Sequence, residues 1–316
     1  MISAVIPVLN EEESLQILEK RLIPELQKID KQYEIIFVDD GSTDASLIVL
    51  KELRKKNLHI RIFSFRRNQG KAEALTVGFQ MAKGDTIVTL DADLQDRPEE
   101  IGKLYERLKQ GYDVVGGWRQ ERKHSLALKI ASKTFNTLLG TFWGTRLHDY
   151  NCGLKVFTND AAKSLHLYGG MHRFVPLLAS EQGFRVTEVA VIHDVRKYGK
   201  AKYGISKLWK DLPDMFTMLF LTKYGKRPLH FFASVGSLIF FIGLGIFLYL
   251  WIVIEIIMHQ AVGRRPILFV SLSMMLAGLQ IVFTGFLADL MTHLFHQSQV
   301  HREETLQKHL LKYSTE

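Results

Sequence analysis

Thr86-Ile87-Val88-Thr89-Leu90-Asp91-Ala92-Asp93-Leu94-Gln95 is the stretch that decides the fold. Its first half is an apolar, β-branched run that reads as a buried strand. Acids follow at once, and open α/β sheets bind their ligands just outside the carboxyl ends of the strands. Two carboxylates and an amide oxygen, from Asp91, Asp93 and Gln95, are hard ligands that suit Mg²⁺ or Mn²⁺. A divalent ion there would hold a diphosphate and neutralise it as it departs. Taken alone, the same residues also read as an acidic turn capping the helix that begins near Arg97-Pro98-Glu99-Glu100. The neighbouring segments favour the ligand site.

Outward from that strand the chain alternates. Ile2–Pro7 reads as a strand, Glu11–Gln27 as an amphipathic helix, and Tyr33–Val38 as a strand ending in Asp39-Asp40-Gly41-Ser42. Thr43–Lys56 is helical, Ile60–Ser64 extended and Gly70–Ala82 helical; Pro98–Gln110 and Asp113–Gly116 add a helix and a short strand. This order predicts a Rossmann-like α/β fold, a mostly parallel sheet with helices on both faces. After Gly116 the alternation breaks. Arg119–Thr141 is basic and reads as a helix, while Asn151–Phe157 and Val186–Val195 read as strands added at the sheet edge.

The turns after the strands hold the remaining candidates. Pro7-Val8-Leu9-Asn10-Glu11 offers a rigid turn and a carboxylate able to grip a base or ribose, with Asn10 as a helix cap the plainer reading. In Asp39-Asp40-Gly41-Ser42-Thr43-Asp44 the glycine permits a tight turn, and Ser42 or Thr43 can cap the next helix. Asn68-Gln69-Gly70-Lys71 brings a turn and a cation toward a diphosphate, although Lys71 also reads as a solvated helix start. No strand is followed by Gly-x-Gly-x-x-Gly, and no phosphate-binding Gly-Lys-Ser/Thr is present, so dinucleotide-binding and P-loop classes are excluded.

In order, spacing and position these motifs resemble the family-2 glycosyltransferases of GT-A fold, over roughly residues 1–120. The resemblance implies a nucleotide-sugar donor, with Pro7, Leu9, Glu11, Val38 and Asp40 around the base and ribose. It implies Lys71, Asp91, Ala92, Asp93 and Arg119 along the diphosphate and sugar, and a Mg²⁺ or Mn²⁺ cofactor on Asp91, Asp93 and Gln95. Later segments are similar to the polyprenyl-phosphate branch, which includes dolichol-phosphate mannose synthase and bacterial polyprenyl-phosphate glucosyltransferases. They are Gly117-Trp118-Arg119, Ser132-Lys133 with Asn136, Asp149 through Phe157, His172-Arg173-Phe174, and His193 through Tyr203. That likeness implies an acceptor-phosphate set of Ser132, Lys133, Arg196 and Lys202, and a catalytic set of Asp93, Arg119, Arg196 and Lys202. The branch often has Ser where this chain has Ala201, which removes one hydroxyl donor.

The expected reaction is inverting transfer of a sugar from a GDP- or UDP-linked donor to undecaprenyl or dolichyl phosphate. A lipid phosphate monoester, with a second pKa near ~6, is already anionic at neutral pH and needs no general base. The obstacle is repulsion between two anionic reactants, which fixed cations and a metal offset. Arg119, Arg122, Lys129, Lys133, Arg196 and Lys202 fit that need. Glu181, where related enzymes have a base, reads as structural here. His193 reads as a hydrogen-bonded strand-end residue, and Cys152, the only cysteine, as a packing residue without thiolate activation. A polysaccharide synthase using a sugar hydroxyl is the main alternative, but its Gln-x-x-Arg-Trp motif is missing. A non-catalytic membrane scaffold conflicts with the Asp91/Asp93 pair, and a transporter needs more than two spans. No nucleic-acid partner is expected. A homo-oligomer, the sugar, the nucleotide base, the polyprenol length and the task of the tail stay open.

The C-terminal third differs in composition. Phe231–Ile254 has no charged residue over 24 positions and Ile267–Ala288 none over 22, each enough to cross a bilayer of about 30 Å. The net charge of +8 belongs to the residues before them, because from Leu229 onward five Lys/Arg face five Asp/Glu. Arg196–Arg227 holds nine basic residues against Asp211 and Asp214, the signature of a cytoplasmic membrane-proximal segment. Ile205–Leu221 has apolar residues at helical spacing with Trp209 and Phe216, as interfacial helices do. The organisation expected is a GT-A catalytic domain over 1–204, amphipathic helices over 205–228, two transmembrane helices within 229–295 (about 229–257 and 267–290) and a polar cytoplasmic tail over 296–316. This predicts a multi-pass membrane protein with its catalytic domain on the cytoplasmic side. Gly236, Gly243 and Gly245 are expected where helices approach closely.

Overall fold

A computed structural model describes residues 1–120, 147–194, 220, 224–225, 227–259, 261, 263 and 265–313, without the side chains of 295–313. The segment 121–146 and most of the amphipathic stretch 205–221 lie outside the described residues, so the expectations placed on them are not addressed by it.

Seven strands form one sheet: β1 (Ile2–Val8), β2 (Tyr33–Asp39), β3 (Ile60–Ser64), β4 (Thr86–Thr89), β5 (Val114–Arg119), β6 (Lys155–Thr158) and β7 (Val186–Val191). Their order is β3-β2-β1-β4-β6-β5-β7. β1, β2, β3 and β4 are mutually parallel, as are β5 and β7. β6 runs antiparallel to both of its neighbours, β4 and β5. The strand expected at the edge near Asn151–Phe157 is therefore an interior one, and it begins only at Lys155. Residues 151–154 instead turn beside the carboxyl end of β4, where Thr89 Oγ1 donates to the Gly153 carbonyl at 2.9 Å. The edge position belongs to β7.

Helices α1 (Leu15–Ile29), α2 (Ser46–Lys56), α3 (Lys71–Met81) and α4 (Ile101–Leu108) connect the first strands, with α5 (Asn159–Ser164) and α6 (Val175–Glu181) following β6. α1 buries Leu15, Leu18, Leu22 and Leu26 completely, the three-and-four spacing of one helical face. They join Ile6, Ile35 and Phe37 of the strands in the main core. α1 starts four residues later than the sequence predicts, because the next loop holds the segment before it. Asn10, Glu11 and Glu12 donate their backbone N–H groups to Ser42 Oγ, Ser46 Oγ and Asp44. Asn10, at φ 54°, does not cap α1; its side chain accepts from the Thr43 N–H at 2.8 Å. Ser42 and Thr43 likewise do not cap α2, which starts at Ser46 after Ala45.

Residues Met1–Asp214 and Met215–Glu316 are two compact units. In the second, α7 (Pro228–Tyr249) continues as a π-helical stretch over Leu250–Ile257, and α8 runs from Pro266 to Tyr313. Both are long and apolar enough to cross a membrane, over Pro228–Ile257 and Pro266–Leu294. Phe241, Phe269 and Phe283 are each at least 60% exposed, unlike side chains of a soluble core helix. The two backbones touch: a Cβ on Gly236 would lie 2.6 Å from the Gly278 carbonyl oxygen, and one on Gly243 would lie 2.8 Å from that of Ser271. Gly245 faces open space and takes no part in that approach. The polar tail is a continuation of α8 as far as Tyr313.

Leu18→Ala should cost about 2–5 kcal/mol of unfolding free energy, the usual range for a fully buried leucine. A thermal or denaturant midpoint barely different from wild type would contradict the packing of α1 on the sheet.

Candidate active site

The carboxyl edges of β1, β2 and β4 and the turn before β6 gather most of the residues singled out from sequence. Asp91 and Ala92 follow β4 after Leu90, and a tight turn through Leu94 at φ 62° carries the chain to Gln95. A left-handed leucine costs about 1–2 kcal/mol. Burial of its side chain in the main core holds it there. Strain of this kind concentrates where function fixes the backbone. The turn also holds Asp93, whose Oδ1 accepts the Gln95 N–H at 3.1 Å.

Lys71, the first residue of α3, reaches Asp91 with Nζ 2.5 Å from Oδ1. It is thus an ion-pair partner and not a solvated helix start. Burial alone would raise the Asp91 carboxyl, but the Lys71 charge and hydrogen bond outweigh it and hold the group below the usual carboxylate range. The same pair raises Lys71 against the opposing effect of its burial. A cavity here is lined by Pro7, Lys71, Asp91, Asn151, Lys155 and His172, among others. Lys155 is buried, its pKa lowered chiefly by burial, and its ammonium donates to the Cys152 carbonyl. His172 is pushed down to about 3 by burial and then by Lys71 and Arg173, so it is neutral at physiological pH.

The base-side residues are partly committed to structure. Asp40 is buried, and its carboxylate accepts from the backbone N–H groups of Gln69 at 2.7 Å and Gly70 at 3.1 Å. It thereby joins the turn after β2 to the turn before α3. Pro7 and Val38 are register partners on β1 and β2. Leu9 is half-buried and Glu11 buried just beyond them. Gly41, at φ 69°, has no room for a Cβ, which would meet the Arg67 carbonyl carbon at 2.5 Å.

At the end of β5, Arg119 makes a bidentate pair with buried Asp149, Nε to Oδ2 at 2.6 Å and Nη2 to Oδ1 at 3.0 Å. Burial opposes the guanidinium charge, and Asp149 more than restores it, so the Arg119 pKa is raised. Arg119 ends a strand; it does not begin the helix expected from sequence. Ser132, Lys133, Arg196 and Lys202 lie outside the described residues.

Sequence reasoning passed over Asp96, and gave Asp149, Lys155 and Asp194 no individual role within the segments it singled out. Asp96 is buried between Asp91, Arg119 and Cys152. Burial first and the Asp91 charge second push it up to about 7, against Arg119 and Lys71. Its spacing from Asp91 was the only available signal. Arg97 clasps Asp194 at 2.8 and 2.6 Å, and Asp194 N–H donates to the Gln95 carbonyl at 2.9 Å, tying the acidic turn to the segment after β7. His193 Nε2 stands 3.7 Å from Asp96 Oδ1. Cys152 is fully buried and its thiol is pushed up to about 12, chiefly by burial, which makes it inert. Glu181 is exposed at the end of α6.

Among the described residues no three His, Cys, Asp or Glu side chains form a ready-made metal cage. Asp91, Asp93 and Gln95 have the hard-oxygen chemistry that suits a divalent ion.

A parallel sheet interrupted by one antiparallel strand, with an Asp-x-Asp turn and fixed cations at its carboxyl edge, defines a sugar transferase of GT-A architecture. The chain belongs to glycosyl transferase family 2, whose sequence profile matches residues 3–165. It is 36% identical to dodecaprenyl-phosphate galacturonate synthase of Rhizobium johnstonii, over 94% of this chain and 89% of that protein. It is 40% identical to undecaprenyl-phosphate 4-deoxy-4-formamido-L-arabinose transferase of Pectobacterium atrosepticum, over 75% of this chain and 72% of that one. Glucosyl-3-phosphoglycerate synthase from Mycobacterium tuberculosis, solved with Mn²⁺ and UDP-glucose, shares the fold at a TM-score of 0.53 and 21% identity, over 70% of this chain and 78% of that one.

Because Asp96 keeps a proton in the fold that it releases near 3.8 when unfolded, its stabilising contribution is complete below that value and is lost as pH rises through about 7. In chelator, Asp96→Asn should therefore raise the unfolding midpoint more at pH 8 than at pH 5. An equal shift at both pH values would contradict the raised pKa.

Proposed function

We propose that the protein transfers a glycosyl group, with inversion, from a nucleoside-diphosphate sugar to the phosphate of a membrane polyprenol. The observation that carries this reading is the grouping of the Asp91–Lys71 pair, the Asp93 turn and the Asp149-held Arg119 at one sheet edge. The names of the two relatives, both polyprenyl-phosphate sugar transferases, support the acceptor class.

In this reading the nucleotide lies along Pro7, Leu9, Glu11, Val38 and Asp40, and its diphosphate crosses toward Lys71 and Ala92. Asp91, Asp93 and Gln95 would hold a Mg²⁺ or Mn²⁺, which would supply Lewis-acid stabilisation of the diphosphate. A phosphate oxygen of the lipid bonds to the anomeric carbon as the bond from that carbon to the donor diphosphate breaks. The electron pair leaves with the nucleoside diphosphate. The acceptor is already ionised, so no side chain need remove a proton. His172, pushed down to about 3, is too weak a base for the task, and Glu181 is exposed at the end of α6. Arg119 is suited to the charge between the two reactants, because a guanidinium makes bidentate phosphate contacts and cannot lose its proton. Ser132, Lys133, Arg196 and Lys202 are assigned to the acceptor phosphate.

The organisation that follows is a catalytic region over 1–204, interfacial helices over 205–228, a two-span hairpin within 229–295 and a cytoplasmic tail over 296–316. The basic run Arg196–Arg227 supports a cytoplasmic catalytic side. Whether the donor carries uracil or guanine is decided by a panel of radiolabelled nucleotide sugars presented with undecaprenyl and dolichyl phosphates. Metal-dependent formation of a mild-acid-labile glycolipid is expected, and a glycan polymer would overturn the reading.

Asp93→Ala should lower transfer by at least about 100-fold, the scale of losing transition-state electrostatics, while membrane insertion is unchanged. Arg196→Ala should raise the acceptor KM about 10-fold or more, as loss of a charged hydrogen bond does. Wild-type turnover by the first variant, or unchanged acceptor kinetics in the second, would remove the corresponding assignment.

A further inference from the structure

Glu188 is a carboxylate that the proposed reaction does not use. It lies on the edge strand β7, in register with Gly116 of β5, and its side chain is 11% exposed. Both of its oxygens are spent on one irregular turn. The His148 backbone N–H lies 2.9 and 2.8 Å from Oε1 and Oε2, the Asp149 N–H donates to Oε2 at 3.1 Å, and His148 Nδ1 lies 2.5 Å from Oε1. That turn in turn holds the last two residues of β5. The His148 ring stacks on Trp118 with centroids 4.1 Å apart, and Asp149 grips Arg119 through two hydrogen bonds.

We propose that Glu188 is a positioning residue for Arg119, acting through the 148–149 turn and Asp149, and this rests on the phosphate-binding role proposed for Arg119. A free arginine side chain samples many rotamers. One already clamped by a fixed carboxylate presents its remaining N–H donors in a set direction and loses less freedom on meeting a phosphate. Asp149 can clamp only if its own backbone is fixed. Its turn belongs to no strand or helix, so Glu188, some forty residues away in sequence, supplies that constraint. His148 itself is 64% exposed, so the turn N–H groups would meet water if Glu188 were removed. The expected consequence is loss of aim, with the fold retained.

The test is a double-mutant cycle on the full chain in detergent, reading kcat/KM for transfer to undecaprenyl phosphate from the labelled nucleotide sugar that the wild type consumes. Glu188→Ala should lose about 10- to 100-fold, the scale of a small misplacement of a reacting group. It should cause no further loss in an Arg119→Ala background, since its effect passes through Arg119. Glu188→Gln should recover part of the activity, because its amide oxygen still accepts from the turn. Equal proportional losses in both backgrounds would overturn the proposal and make Glu188 a structural stitch. An Arg119→Ala variant with full activity would instead refute the role of Arg119 itself, and the inference with it. Should Glu188→Ala fail to fold, Glu188→Gln carries the same cycle, with the same two outcomes deciding it.

Discussion

Charges of both signs crowd one half-buried patch at the carboxyl ends of β4, β5 and the turn before β6. Three carboxylates, Asp91, Asp96 and Asp149, share it with Lys71, Lys155 and Arg119. Charges out of water survive only when they are paired or neutralised. Lys71 answers Asp91, and Arg119 answers Asp149. Asp96 meets the same constraint by keeping its proton up to about pH 7. The backbone is fitted to this arrangement. A Cβ at Gly153 would lie 2.8 Å from the Asp91 carboxyl carbon and would also collide with Asp96. Only a glycine lets the chain pass behind both acids.

The fold brings these groups together by one departure from regular alternation. β6 inserts antiparallel between β4 and β5, so residues 149–155 pass the carboxyl ends of both neighbours. Asp149 reaches Arg119 on one side, and the Gly153 backbone packs against Asp91 on the other. A parallel strand at that position would bring its carboxyl end there, and the segment before it, with Asp149, would lie at the opposite edge of the sheet, away from Arg119. The left-handed Leu94 completes the edge by folding the chain sharply enough to hold Asp93 and Gln95 beside the paired charges.

Much of this was legible in the sequence. Strand runs bounded by turn residues located β1 to β4 to within a residue or two, because buried parallel strands are short, apolar and β-branched. The Asp-x-Asp turn and the two apolar spans were equally readable, since each depends on local composition. What escaped depends on distant partners. The late start of α1 arises from Ser42, Asp44 and Ser46, more than thirty residues away. The interior place of β6 is a matter of pairing, which no local pattern encodes. Lys71 read as a cation toward a diphosphate or as a solvated helix start, and its pairing with Asp91 at 2.5 Å, twenty residues away, had no local signal. Asp96 and Glu188 were ordinary acids in the sequence, and only burial and partners give them significance.

A site with its own carboxylates largely committed to its own cations has little left to hold a divalent ion alone. In the proposed reaction the substrate's diphosphate would complete the coordination. Titration of Mn²⁺ with and without UDP or GDP, followed by electron paramagnetic resonance, tests that dependence most directly. The account predicts weak metal binding to the free protein and much tighter binding once its nucleoside diphosphate is present, lost in Asp93→Ala. Tight binding of Mn²⁺ without nucleotide, or nucleotide binding unaffected by chelator, would contradict it.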